Sequence, residues 1–272
     1  FFATTERLEH EVEEKPFREQ LSLLLKNDQW LILCGVCVLG TIGYVVRGSV
    51  ALYYAKYYLG GDAGLQSMFL STGVGAAILA MVASTWITKR YCKVKLFRFS
   101  QMAVGVLSLL MYFVVGPNDV ALAFILFFLI SFVVDLHAPI FWSAIAEVVD
   151  YGESKTGKRV AGLAFGGISF CQKAGMGVAG ALVGWLLAYF EYEASAQQSE
   201  FTLMGIVLML TIIPGVFHYL VGWLMNRYKI TDDEYKSLSA VVQANRKAAI
   251  ASGDVQLDSN NQHNADMASG VK

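Results

Sequence analysis

Charge is scarce in this chain: only 16% of its 272 residues are Asp, Glu, Lys or Arg, against roughly 25% in a soluble domain. The 21 basic and 22 acidic residues nearly cancel, so there is no field to attract DNA or RNA. Proline is scarce too, with 4 residues beside 25 glycines, which excludes collagen-like and low-complexity chains. The four cysteines are Cys34, Cys37, Cys92 and Cys171. Cys34-Gly-Val-Cys37 has C-x-x-C spacing but lies in an apolar run, with no second pair and no nearby His. It reads as two small packing residues on one helix face. There is no G-x-S-x-G, no H-E-x-x-H and no Walker loop, so neither an enzyme nor a cofactor is expected, and no metal ligands in this half. Without an ATP site, any transport is driven by an ion gradient or runs downhill. The first 28 residues are polar and charged, so no signal peptide is read. The chain opens on Phe1-Phe2 rather than Met, and reads as a fragment of something longer.

What is present is hydrophobic: 56% of the chain. A helix needs about 20 mostly apolar residues to cross a bilayer. Six such runs lie near 29–58, 64–88, 97–116, 119–146, 160–190 and 201–226. The expected fold class is therefore an all-α integral membrane protein with six transmembrane helices and the lipid bilayer as its partner. Lys89, Arg90, Lys93, Lys95 and Arg98 follow the second run, and Lys155, Lys158 and Arg159 follow the fourth. The turns after the first, third and fifth hold no Lys or Arg but carry Asp62, Glu191, Glu193 and Glu200. Positive loops stay inside, so both ends of the chain are expected in the cytoplasm of a cell with a bacterial-type inner membrane.

The flanks divide accordingly. Residues 1–28 form a cytoplasmic loop with an amphipathic helix, in which Phe17, Leu21, Leu24 and Leu25 recur at helical spacing after Pro16. Residues 29–228 form the bundle. Thr231-Asp232-Asp233-Glu234 is a capping box opening a short helix within 229–250. The Ser/Asn/Asp/Gly-rich stretch 251–272 is expected to be disordered.

Charges at membrane depth are costly and mark function or a partner. They are Arg47 and Lys56 in the first run, Asp135 in the fourth and Lys173 in the fifth. Asp135 precedes Asp150 by 15 residues and Lys173 follows Arg159 by 14, placing each roughly 21–23 Å from the connecting loop. They form either a cavity-facing pair of groups or a static pair that fixes packing. Lys56 can snorkel to the interface, whereas Arg47 lies deeper. In Asp135-Leu-His137-Ala-Pro139 the proline can kink the helix and expose carbonyls. His137 beside a carboxylate is either a proton relay or a locally satisfied histidine, and His218 after Pro214 reads as the latter. Gly177, Gly180 and Gly184 belong to a glycine-dense fifth run, and G-x-x-x-G at 180 and 184 points to close helix packing.

The stretch Glu147-Val-Val-Asp150-Tyr151-Gly152-Glu153-Ser-Lys155-Thr156-Gly157-Lys-Arg159, then Gly162 and Phe170-Cys-Gln172-Lys173-Ala-Gly175, resembles the signature of the glycoside–pentoside–hexuronide:cation symporters of the major facilitator superfamily. Thr4-Thr5-Glu6-Arg7, Lys26-Asn27-Asp28, Arg47-Gly48 and the tyrosines 53, 54, 57 and 58 continue the likeness, which covers the chain to about Arg246. It implies helices seven to twelve of a twelve-helix carrier whose N-terminal six-helix half is missing. It further implies a sugar substrate (a glycoside, pentose or hexuronide), symport with Na+ or H+, and a cytoplasmic gate at Glu147, Asp150, Tyr151, Glu153 and Arg159. Lys173 matches the intramembrane lysine that couples sugar and cation sites. With Gln172, Asp135, His137 and Arg47 it makes up the candidate substrate and coupling set. Trp142 falls nearer the loop than that family's sugar-facing tryptophan, so this role is not carried over. Two other readings are a lysolipid transporter of the same superfamily and a membrane-embedded enzyme or structural subunit using Asp135 and His137.

Overall fold

A computed structural model describes residues 16–194 and 196–252. Among them are ten α-helices and no strand: α1 (Phe17–Leu25), α2 (Asp28–Tyr53), α3 (Ala63–Ile87), α4 (Lys93–Val114), α5 (Val120–Asp135), α6 (Ala138–Thr156), α7 (Ala161–Tyr189), α8 (Glu200–Leu210), α9 (Ile212–Leu224) and α10 (Asp232–Ser252). A π turn, Tyr54–Tyr58, extends α2. Six stretches are long and apolar enough to cross a membrane: Asp28–Tyr58, Ala63–Ile87, Lys93–Val114, Val120–Thr156, Ala161–Tyr189 and Glu200–Arg227. These match the six runs read from the sequence, with ends moved by a few residues except in the fourth, which runs ten residues further, to Thr156. The expected disorder of the tail concerns residues of which 253–272 lie outside the described ones, while α10 runs on to Ser252.

Two of the six spans are broken, each at its proline. Pro139 has no N–H for the Asp135 carbonyl, and the fourth span turns at Leu136 and His137 between α5 and α6. Pro214 has none for the Leu210 carbonyl, and the sixth span breaks at Thr211 between α8 and α9. Elsewhere the ends follow local chemistry. Asn27, Asp62 and Ser199 cap α2, α3 and α8 through their side-chain oxygens. Gly157, at φ 67°, takes the left-handed turn that ends α6. The Thr231–Glu234 box closes in both directions, as its sequence led us to expect.

α2 is the axis of the bundle, packed on α7 and α9; α4 packs on α9 and α3 on α5. The buried apolar residues fall into two clusters. One surrounds Tyr54, Phe69, Met111, Phe127 and Ile206, and the other Trp30, Leu33, Phe97, Ile145 and Ile168. The closest helix contacts use glycines outside the G-x-x-x-G pair. A Cβ on Gly222 would sit 2.9 Å from the Arg98 carbonyl, and one on Gly105 3.1 Å from the Gly215 carbonyl, so α4 and α9 meet nearly backbone to backbone. On α7, Gly167 and Gly175 approach α2, the first at Trp30 and the second at Val38 and Thr41.

Candidate functional site

At one end of the bundle the two sequence motifs meet, although about 120 residues separate them. Asn27 Nδ2 donates to the Val148 carbonyl at 2.7 Å. Asp28 Oδ1 accepts from Tyr151 Oη at 3.0 Å and pairs with Lys155 at 3.2 Å. Arg159 Nη1 bridges Asp150 at 2.6 Å and Glu153 at 2.9 Å. Glu147 pairs with Lys93 at 2.5 Å, and Lys93 also reaches Asp232 at 3.5 Å. Tyr235 of α10 donates to Asp150 Oδ2 at 2.8 Å. Burial, then that hydrogen bond, pushes the Tyr235 phenol up to about 12. Burial likewise pushes the Tyr228 phenol up, beneath the same cluster. All five expected gate residues therefore lie at the basic end, in groups of contacts that tie α6 to α2, α4, α10 and the turn before α7.

The opposite end is aromatic and carries no such network of charges among the described residues. Tyr57 and Tyr192 share a hydrogen bond of 3.1 Å, and Tyr58 Oη donates to the Val115 carbonyl at 3.0 Å. Burial and the Tyr57 hydroxyl push the Tyr192 phenol up to about 12. Lys56 is exposed here, with its ammonium 4.6 Å from the centre of the Tyr57 ring, in keeping with a snorkelling role.

Between the ends, near where the two apolar clusters meet, lies a layer of buried polar groups gathered at the two helix breaks. Arg47 is 6% exposed. Its Nε donates to the Leu210 carbonyl at 3.1 Å, the oxygen that Pro214 leaves without a helical donor, and its Nη2 donates to Ser108 Oγ at 2.7 Å. At the other break Ser84 donates to the Leu136 carbonyl at 2.7 Å and Gln101 Nε2 to the Val134 carbonyl at 3.2 Å. His137 Nδ1 also donates to the Val134 carbonyl. Because the Gln101 amide N–H points at Val134, its oxygen accepts from His218 Nδ1 at 2.7 Å. Gln101 and His218 thus link the break in the fourth span to the sixth. A carbonyl lacking its helical N–H is costly in an apolar layer, and each of these side chains removes that cost.

The expected coupling set is only partly brought together. Asp135, 8% exposed, has Arg47 as a charged neighbour within interaction range and makes no ion pair with Lys173. The pairing of the two charges at similar depth is thus not the one found, because α5 and α7 turn those positions to different neighbours. Lys173 and the half-buried Gln172 lie on α7, where Lys173 is exposed and makes no ion pair among the described residues. Gly177, Gly180 and Gly184 have nothing within 4 Å of where a Cβ would stand, nor do Gly162 and Gly166. With Ser169 and Lys173, these five glycines recur at helical spacing, so Lys173 sits mid-way along one open stripe of small residues. Close packing of the G-x-x-x-G pair is therefore not made within the described residues. Ser84, Gln101 and Ser108 were not singled out from the sequence. The signal that could have found them was a lone amide and two hydroxyls in apolar runs, opposite prolines that each orphan a carbonyl.

The family model described as MFS/sugar transport protein matches residues 2–232. The chain is similar to the putative glycoside/cation symporter YagG of Escherichia coli, with 34% identity over 250 residues, covering 91% of this chain and 54% of that protein. To the inner membrane symporter YicJ of the same bacterium it is 33% identical over 229 residues, 84% of this chain and 49% of the other. To the isoprimeverose transporter of Lactiplantibacillus pentosus it is 29% identical over 249 residues, 89% and 51%. The chain spans about half the length of these curated relatives, which carry the names of transporters rather than enzymes. With six membrane-length helices and the loop signature meeting at one end, the chain is a multi-pass membrane protein that belongs to the MFS/sugar transport protein family, in its glycoside–pentoside–hexuronide:cation symporter branch.

Proposed function

We propose that this chain is the C-terminal six-helix half of a cation-coupled sugar symporter of an inner membrane, working by alternating access with an N-terminal half on the same or a separate polypeptide. The observation that carries this reading is the stripe on α7. A helix with five uncovered glycines invites another backbone to approach. An ammonium at mid-depth in that stripe lies where two halves rocking about a central site would meet. Lys173 is then the group that pairs with carboxylates of the other half when the cation is absent and releases them when it binds. The basic end, bearing both described ends of the chain, faces the cytoplasm. There the Glu147, Asp150, Tyr151, Glu153 and Arg159 network serves as the inner gate, trading contacts within this half for contacts with the other at modest cost. The substrate is a glycoside, pentose or hexuronide, and the coupling ion is Na+ or H+.

The test is uptake of a radiolabelled sugar panel into vesicles containing the full-length protein, with Na+ and H+ gradients imposed separately. A gradient-dependent accumulation that Lys173→Ala abolishes is the expected result. Accumulation at the wild-type level in Lys173→Ala rejects the coupling role, and no sugar accumulated under either gradient rejects the reading.

A further inference from the structure

Where the third and sixth spans meet at the basic end, two guanidiniums are held by one turn of chain, and neither is spent on a carboxylate. Arg98 Nη1, in the second turn of α4, donates to Asn226 Oδ1 at 3.0 Å. Asn226 lies in the turn Met225–Arg227 that ends the sixth span, and its Nδ2 donates to the Trp223 carbonyl at 2.9 Å. Arg227, the next residue, has its Cζ 4.8 Å from the centre of the Trp223 ring. Arg98 Cζ stands 4.7 Å from the centre of the Phe99 ring. Both rings are exposed, as are Arg227 and Lys95, one turn before Arg98. At the same end Lys93, Lys155, Lys158 and Arg159 each have a carboxylate partner. Lys95, Arg98 and Arg227 have none among the described residues.

The apolar surface continues from these cations into the membrane. α4 and α9 meet nearly backbone to backbone at Gly105 and Gly222. Beside that seam Phe99 and Val106 of α4 and Leu220 and Trp223 of α9 are exposed. α2 meets α9 at Gly40 and Gly43 but α7 at Trp30, Cys37 and Thr41, positions on different faces of one helix. The seam thus lies on another flank of the bundle than the α7 stripe, and a second half docked on that stripe leaves it to the lipid.

We propose that this corner is a binding site for an anionic glycerophospholipid of the leaflet at the basic end. Its phosphodiester sits between Arg98 and Arg227, and its acyl chains descend along the α4–α9 seam. Basic pockets between transmembrane helices hold such headgroups. A guanidinium offers a planar fork that fits phosphate oxygens. Arg98 spends one N–H on Asn226 and keeps the others for a ligand. Asn226 aims it, because an amide whose N–H holds the Trp223 carbonyl turns its oxygen toward Arg98. Phe99 and Trp223 are the aromatic side chains that favour headgroup depth. Charge selects the lipid class. A zwitterionic lipid carries its own ammonium into a group of three cations, whereas a lipid of net negative charge does not.

The experiment is native mass spectrometry of the purified full-length protein in detergent, titrated separately with phosphatidylglycerol and phosphatidylcholine. It reads the affinity of the first lipid bound. Phosphatidylglycerol is expected to bind several-fold more tightly. Arg98→Gln and Arg227→Gln are each expected to weaken it by about fivefold and to change phosphatidylcholine little. Arg98→Lys, which keeps the charge but not the fork, is expected to fall between. Lys89→Gln, which removes an exposed cation of the turn between α3 and α4, is expected to change neither lipid. Arg227 is exposed, so its variant decides the matter should Arg98→Gln not fold. Equal binding of the two lipids, wild-type affinity for phosphatidylglycerol in Arg227→Gln, an equal loss in Lys89→Gln, or displacement of the lipid by glycerol 3-phosphate overturns the proposal. No sugar or ion gradient is used, so the outcome is independent of the Lys173 reading.

Discussion

Arg47 Nε reaches the Leu210 carbonyl across 3.1 Å, at the one oxygen of the sixth span that Pro214, four residues later, cannot bond. The side chain of one helix thus completes the backbone of another. The break at Thr211 and the buried cation explain each other, since the freed carbonyl supplies an acceptor that a buried guanidinium needs.

This relationship predicts a coupled pair of substitutions. Arg47→Met leaves the Leu210 carbonyl and Ser108 without their donor and costs about 1–3 kcal/mol of stability. In a Pro214→Ala background the new N–H bonds Leu210, and the same substitution is expected to cost less by about 1 kcal/mol. A double-mutant cycle by thermal unfolding in detergent reads the difference, and equal costs in the two backgrounds count against the clamp.

Glycines divide by what surrounds them. Gly222→Ala would press a Cβ to 2.9 Å from the Arg98 carbonyl and 3.0 Å from the Met102 nitrogen, both backbone atoms, and is expected to destabilise by about 1–3 kcal/mol. Gly180→Ala meets nothing within 4 Å and is expected to leave stability within about 0.5 kcal/mol. If the α7 stripe meets another half, Gly180→Ala still lowers uptake by the full-length protein. Full uptake in that variant argues that the stripe faces lipid.

Tyr235 docks α10 through Asp150. Tyr235→Phe removes a hydrogen bond worth about 1 kcal/mol, and residues 232–252 are expected to become more sensitive to added protease on inside-out vesicles. The phenol is raised from its ordinary 10.0 to about 12. Its contribution is thus complete below pH 10.0 and is lost as pH rises through about 12. Protection that fades already at neutral pH points to some other group.

Arg159 joins two carboxylates, and its loss tests the gate. Arg159→Ala and Asp150→Asn are expected to slow sugar transport several-fold while changing sugar affinity much less, as a group that acts in closing rather than in binding requires. Affinity by displacement and rate by uptake separate the two, and an equal loss of both is inconsistent with gating.

Much of this arrangement was legible in the linear chain. The Lys89–Arg98 and Lys155–Arg159 turns and the intervening acidic ones marked which helix ends share a side, and the basic ends do converge around Lys93, Glu147 and Asp150. Pro139 marked the break in the fourth span, while the one at Pro214 was not read. The family signature marked residues that the fold joins, as Asp28 to Tyr151. Less legible was the polar layer. Gln101, Ser84 and Ser108 are uncharged polar residues scattered in apolar runs, and nothing local says which carbonyl or ring will lie opposite. For the same reason equal depth left open whether Asp135 and Lys173 would pair. Counting residues measures height along a helix, while contact also depends on how each helix is turned about its axis.

Span number, span length and the alternation of loop charge follow from the sequence alone, because hydropathy and backbone hydrogen bonding inside a helix are local properties that a bilayer enforces residue by residue. Which buried groups meet was decided only by the tertiary structure. Arg47 finds Leu210 and Ser108, His218 finds Gln101, and the glycines of the Lys173 stripe find nothing among the described residues. Those choices depend on helix rotation and on where a broken helix leaves a carbonyl open, neither of which has a period that can be read along the chain.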